Sequence, residues 1–126
     1  GIQQTEYDGI RQEGQGSAEM AQSTALKAVR FLKKELEKSG LNVSRMILFG
    51  SRAGRHASKD SDIDVLIVSD DFRGCDIFER ARLTKEGEIK TIRKFLIPLD
   101  IITATPDEVE SGASLVFDFA RNGRIV

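Results

Sequence analysis

The stretch from Arg45 to Val68, RMILFGSRAGRHASKDSDIDVLIV, decides the fold. Arg45-Met46-Ile47-Leu48-Phe49 is a short apolar run that stops at Gly50, and it reads as a buried strand. Ser51 to Ser61 is polar, rich in Arg, Gly, Ser and Lys. Asp62-Ile63-Asp64-Val65-Leu66-Ile67-Val68 is β-branched and apolar, a second strand. Two strands joined by a polar loop, the first closing on Gly-Ser and the second opening on Asp-x-Asp, form the centre of the reading.

Working outward, a helix is expected from about Ala18 to Lys38. Ala25, Val29, Leu32 and Leu36 fall on one stripe of a 3.6-residue period, and Ser39-Gly40 stops it. Asp70-Asp71 reads as a strand-end turn. Asp76 to Phe95 reads as a second long helix with Ile77, Ala81, Ile89, Ile92 and Leu96 as core contacts, interrupted at Gly87. Pro98 to Thr103 is a third strand, and the proline near its start suggests an edge or entry position. Thr105-Pro106-Asp107-Glu108 opens a helix, with Thr105 as cap and Glu108 closing a capping box. A last helix is expected from about Ala113 to Arg121, and Arg124-Ile125-Val126 as a short final strand. This order gives an α/β (α+β) domain, helices packed on a small mixed sheet.

The chemistry follows from period two. Asp62 and Asp64 lie on one face of their strand, with Ile63, Val65 and Ile67 on the other. Asp60 shares the parity and is an alternative ligand, but Asp62 and Asp64 are the ones flanked by strand residues. A third carboxylate, Asp100, lies in the third apolar strand. Two carboxylates ~4 Å apart repel by about 4 kcal/mol at an effective dielectric near 20. A fold keeps such a cluster readily only if a cation or a proton neutralises it. Oxygen ligands without Cys or His favour Mg²⁺ or Mn²⁺, and two such ions ~3.5–4 Å apart can hold the attacking and leaving oxygens of a phosphoryl-type displacement. The Gly50-Ser51 turn supplies an anion cradle: glycine lets a phosphate approach the backbone, and the N–H groups and the Ser51 hydroxyl can donate to it. Ser51 also suits a helix cap, and the two roles are compatible. Arg52, Arg55 and Lys59 lie in the same segment and offer charge to a triphosphate. His56 and Cys75 read as ordinary loop or helix-start residues.

With Leu48-Phe49-Gly50-Ser51, then ten residues, then Asp62-Ile63-Asp64-Val65, the chain resembles the DNA polymerase beta–like nucleotidyltransferase superfamily. Gly50-Ser51-Arg52-Ala53-Gly54-Arg55 and Ser61-Asp62-Ile63-Asp64 resemble its minimal nucleotidyltransferase (MNT) domains. The resemblance covers about Ala21 to Val126. It implies transfer of a nucleoside monophosphate, AMP from ATP, to an acceptor hydroxyl with release of pyrophosphate. It implies metal and catalytic roles for Asp62, Asp64 and Asp100, and nucleotide binding at Gly50 and Ser51, with Arg52 and Arg55 beside them. It further implies a small helical HEPN protein as partner in a toxin–antitoxin module, with this chain as antitoxin. Larger relatives bind acceptors with additional domains. The short stretch after the third strand therefore points to an acceptor site completed by a partner or by a second copy in a homo-oligomer. The alternative from another class is an antitoxin that neutralises its partner by contact without turnover.

The rest of the chain sets bounds. A length of 126 residues fits one domain. Residues 1–19 are expected to be a flexible leader or an expression remnant, since Gly1 to Ser17 carries four of the eleven glycines, starts with Gly and precedes Met20. The domain proper is then 20–126. A net charge of −1 gives no basic field for nucleic acid, so any such contact is local. The single cysteine excludes an internal disulfide framework and fits a reducing compartment. No apolar run approaches the ~20 residues of a membrane span, so the expected location is the cytoplasm.

Overall fold

The structure, a computed structural model, describes residues 2–54, 57–111, 118 and 121–126, and only the backbone of residues 2–17 and 51. In chain order the elements are α1 (Ile2–Lys38), β1 (Arg45–Phe49), β2 (Ile63–Val68), α2 (Ile77–Phe95), β3 (Leu99–Ala104), α3 (Pro106–Glu110) and β4 (Arg124–Ile125). A 3₁₀ turn, Ser51–Ala53, follows β1. The expected helix start at Ala18 is corrected to Ile2, although Ala21 is the first buried hydrophobic side chain among those described. The expected final helix from Ala113 falls largely outside the described residues.

The four strands form one mixed sheet in the order β3-β2-β1-β4. β1 runs antiparallel to β2 and to β4, and β2 runs parallel to β3. The parallel pair needs a crossover, and α2 supplies it. The expectation from Pro98 is met: β3 begins one residue later and sits at the sheet edge.

Alternation divides the core between the two faces. Met46 and Leu48 of β1 join Ile63, Val65 and Ile67 of β2 against Ala25, Ala28, Val29, Leu32 and Leu36 of α1. This is the stripe expected for α1. Ile47, Leu66, Val68 and Ala104 lie on the opposite face with Val109 of α3. α3 starts as expected: Thr105 accepts from the Glu108 N–H at 3.2 Å, and the Glu108 carboxylate accepts from the Thr105 N–H at 3.1 Å.

The buried face of α2 differs from expectation. Ile77 and Leu96 are 75% and 82% exposed, and Ala81 and Ile89 are exposed as well. Thr84, Gly87 and Thr91 are buried instead. Gly87 does not break the helix; it lets α2 approach α1, since a Cβ there would stand 2.9 Å from Leu36 Cδ2. The threonines can be buried because their hydroxyls donate within the helix, Thr91 to the Gly87 carbonyl at 2.7 Å and Thr84 to that of Ala81 at 3.2 Å. Among the described residues no helix is long and apolar enough to cross a membrane.

Candidate active site

The face that carries Ile47 and Leu66 carries the acidic residues at one end. Strand register pairs Phe49 with Asp64, and Asp64 with Asp100. The row next to it is Ile47, Leu66 and Ile102. Neighbouring strands lie about 4.8 Å apart, so the carboxylates of Asp64 and Asp100 leave the same face side by side. Asp62 stands one residue before β2 and is exposed. The expected second strand thus starts at Ile63, and Asp62 sits on the loop entering it.

Electrostatics links the three. Burial pushes the Asp64 carboxyl above the ordinary carboxylate value, and the charge of Asp100, then that of Asp62, pushes it the same way. Asp60 is felt by Arg52. The charges that crowd Asp64 are therefore the two read from sequence as its fellow ligands.

β1 ends opposite Asp64, and the chain leaves the sheet at Gly50 with φ of 74°. That conformation suits glycine. The space does too, because a Cβ at Gly50 would lie 2.1 Å from Asp64 Oδ2. The turn closes with the Ala53 N–H donating to the Gly50 carbonyl at 3.2 Å. A cavity of about 520 Å³ opens at this turn, lined by Phe49, Gly50, Ala53, Gly54, Asp118 and Asn122. A cavity of about 550 Å³ lies along α2 and β3, lined in part by Ile101 and Thr103, which point to the other face from Asp64 and Asp100.

The remaining expected ligands divide. The side chain of Ser51, and Arg55 and His56, lie outside the described residues. Lys59 is exposed. Arg52 is not presented to the turn's open side, being only 1% exposed. Its Nε donates to the Ser61 carbonyl at 2.8 Å, one terminal nitrogen to Lys59 at 2.7 Å and the other to Ala21 at 3.1 Å. Burial lowers its pKa, while Asp62 and Asp60 raise it. Gln22, which sequence reasoning passed over, donates from Nε2 to the Ala53 carbonyl at 3.1 Å. Its position on α1 beside Ala21 was readable; a contact across 31 residues was not.

Asp62, Asp64 and Asp100 do not stand as a ready-made cage: among the described residues no group of three Asp, Glu, His or Cys side chains is gathered to hold a metal ion. A donor set of carboxylate oxygens alone is still of the chemistry that suits Mg²⁺ or Mn²⁺. Mg²⁺ is commonly held by one or two carboxylates together with substrate phosphates and water, not by an all-protein cage. Asp64 and Asp100 provide such a pair beside the Gly50 turn.

The nucleotidyltransferase domain family model matches residues 29–126. The chain is also similar to a solved structure from Sulfolobus solfataricus, assigned as a nucleotidyltransferase. The two share 27% identity with a TM-score of 0.61, over 75% of this chain and 79% of that one. No curated protein matches the chain. Ala21 and Gln22, which reach the turn and loop from α1, precede the residues that the family model matches.

Proposed function

The chain belongs to the nucleotidyltransferase domain family, within the polymerase beta–like superfamily, and from that premise we propose that it moves a nucleoside monophosphate, AMP from ATP, onto an acceptor hydroxyl in a Mg²⁺-dependent reaction. The observation that carries this reading is the packing of the Gly50 turn on Asp64, with Asp100 in register beside it. A phosphate-admitting backbone and two adjacent carboxylates thereby share one end of the sheet.

The unit that works is residues 20–126. The triphosphate lies along the turn after Gly50, whose lack of a side chain admits both the phosphates and Asp64. Asp64 and Asp100 would hold the divalent ion, with Asp62 at the end of the loop as a third ligand. The bound ion supplies Lewis-acid neutralisation of the phosphate charge. The acceptor oxygen attacks the α-phosphorus, the bond to the β-phosphate oxygen breaks, and pyrophosphate leaves. Asp100 takes the acceptor's proton. It stands exposed on the edge strand, so a large acceptor reaches it from the open side of the sheet. A protein hydroxyl, such as that of a small helical HEPN partner in a toxin–antitoxin pair, suits that open approach.

The test is transfer of label from α-labelled ATP with Mg²⁺ to candidate protein partners. Wild type labels the partner, and Asp64→Ala does not. A wild type that transfers nothing yet neutralises the partner as well as Asp64→Ala does would sink catalysis and leave binding by contact.

A further inference from the structure

We infer that Arg52 is a positioning residue for this transfer: buried between α1 and the loop after the Gly50 turn, its guanidinium fixes the loop backbone that presents Asp62 beside Asp64. The inference rests on the reading of Asp62 and Asp64 as metal ligands.

Asp62 lies at the end of a polar loop, outside the sheet hydrogen bonds that fix Asp64 and Asp100. A metal ligand must stay within about 0.5 Å of its working position. Arg52 meets that need from below. Two of its nitrogens reach the carbonyls of Lys59 and Ser61, at 2.7 and 2.8 Å, and Ser61 is the residue before Asp62. Its third nitrogen anchors on the Ala21 carbonyl of α1 at 3.1 Å. The Ser61 N–H donates to the Ser58 carbonyl at 3.2 Å, so the pinned carbonyls belong to one tight turn. Gln22 fastens the other side of the same region through the Ala53 carbonyl.

The residue type matters. A guanidinium is a planar fork whose donors point in fixed directions, so one group can bridge three carbonyls. A lysine ammonium in its place would keep the charge and lose the fork. The buried charge is also in keeping with the site, for the carboxylates that act on it are Asp62 and Asp60. With three of its donors on protein carbonyls and 1% of its surface exposed, Arg52 holds the loop and leaves the phosphates to other groups.

The experiment uses the full chain as wild type, Arg52→Lys and Asp64→Asn. Mn²⁺ binding is read from the electron paramagnetic resonance signal of the free ion. ATP binding without metal is read by calorimetry, and kcat and KM for ATP come from transfer assays. Arg52→Lys is expected to weaken Mn²⁺ binding by about 10–100-fold, the usual cost of losing an outer partner of a metal ligand. Its kcat falls, its KM for ATP changes little, and metal-free ATP binding is unchanged. Should Arg52→Lys be unfolded, the binding measurements are made in the cold with trimethylamine N-oxide, which favours the compact state. Mn²⁺ binding equal to wild type overturns the inference. So does a loss confined to metal-free ATP binding, which would make Arg52 a phosphate ligand. If wild type and Asp64→Asn bind Mn²⁺ equally poorly, the metal reading itself has failed, an outcome distinct from a wild type that binds and an Arg52→Lys that binds as well.

Discussion

Gly50 lies directly against the carboxylate of Asp64: a Cβ placed on the glycine would stand 2.1 Å from Oδ2 and 3.0 Å from Cγ. Backbone φ at Gly50 is 74°, so a side chain there meets two penalties, one conformational and one steric. Gly50→Ala should cost about 2 kcal/mol or more in urea unfolding. The double variant Gly50→Ala/Asp64→Ala should recover the steric part and keep the conformational part. The two mutations are then non-additive, as expected of residues in contact. Strict additivity would show that the carboxylate does not crowd the turn.

The raised pKa of Asp64 predicts a conflict between stability and function. Burial is its main cause, followed by the charges of Asp100 and Asp62. The folded protein holds this proton more tightly than the unfolded chain does. The resulting stability is present below the unfolded value, near 3.8, and is lost as pH rises through the raised folded value. At neutral pH without metal the ionised side chain is therefore a burden. Asp64→Asn should raise Tm at pH 7 and change little at pH 3, where the carboxyl is protonated in both states. Mg²⁺ should raise the Tm of wild type and not that of the variant, since a ligand stabilises only the state that binds it. A lower Tm for metal-free Asp64→Asn at pH 7 would mean that its carboxylate is compensated by something other than a metal.

Asp60 and Asp62 can be separated by kinetics. Both are exposed and both act on Arg52, but Asp62 also crowds Asp64. Asp62→Ala should cut the transfer rate by ~10²-fold or more, the scale for removing an electrostatic catalytic group. Asp60→Ala should stay within roughly fivefold, the scale of an exposed charge worth up to 1 kcal/mol. Reversed magnitudes would move the loop ligand to Asp60.

Much of this arrangement was legible because strand chemistry is local. Alternation put Asp64 on the face opposite Val65, and the β-branched run and the glycine stop marked β1 and β2 to within a residue. The capping box at Thr105 was local too. The carbonyl partners of Arg52 were not legible, because an arginine beside a Gly-Ser turn looks the same in sequence whether it faces phosphate or carbonyls. Only the approach of α1, some thirty residues earlier, decides which, as the contact to Ala21 shows. The buried face of α2 differs from its apolar pattern for a related reason. Large apolar residues suggest the core face, but two helices that pack closely bury small residues and leave Ile77 and Phe78 outside.

The α1–α2 contact gives the last prediction. A Cβ at Gly87 would lie 2.9 Å from Leu36 Cδ2 and 3.3 Å from Leu32 Cδ1. Both atoms are ends of flexible side chains, so a methyl group can be admitted by small rotations. Gly87→Ala also gains up to about 1 kcal/mol of helix propensity. The opposing effects should leave it within ~1 kcal/mol of wild type in urea unfolding. Gly87→Leu has nowhere to go between the helices and should lose roughly 1–3 kcal/mol by overpacking. Phe78→Ala, removing a ring that is 77% exposed, should change stability by no more than ~0.5 kcal/mol. This ranking inverts what hydrophobicity alone would assign to α2. If Phe78→Ala proved the costlier change, the helix would have to pack through its apolar face, and Gly87 would no longer mark the crossing with α1.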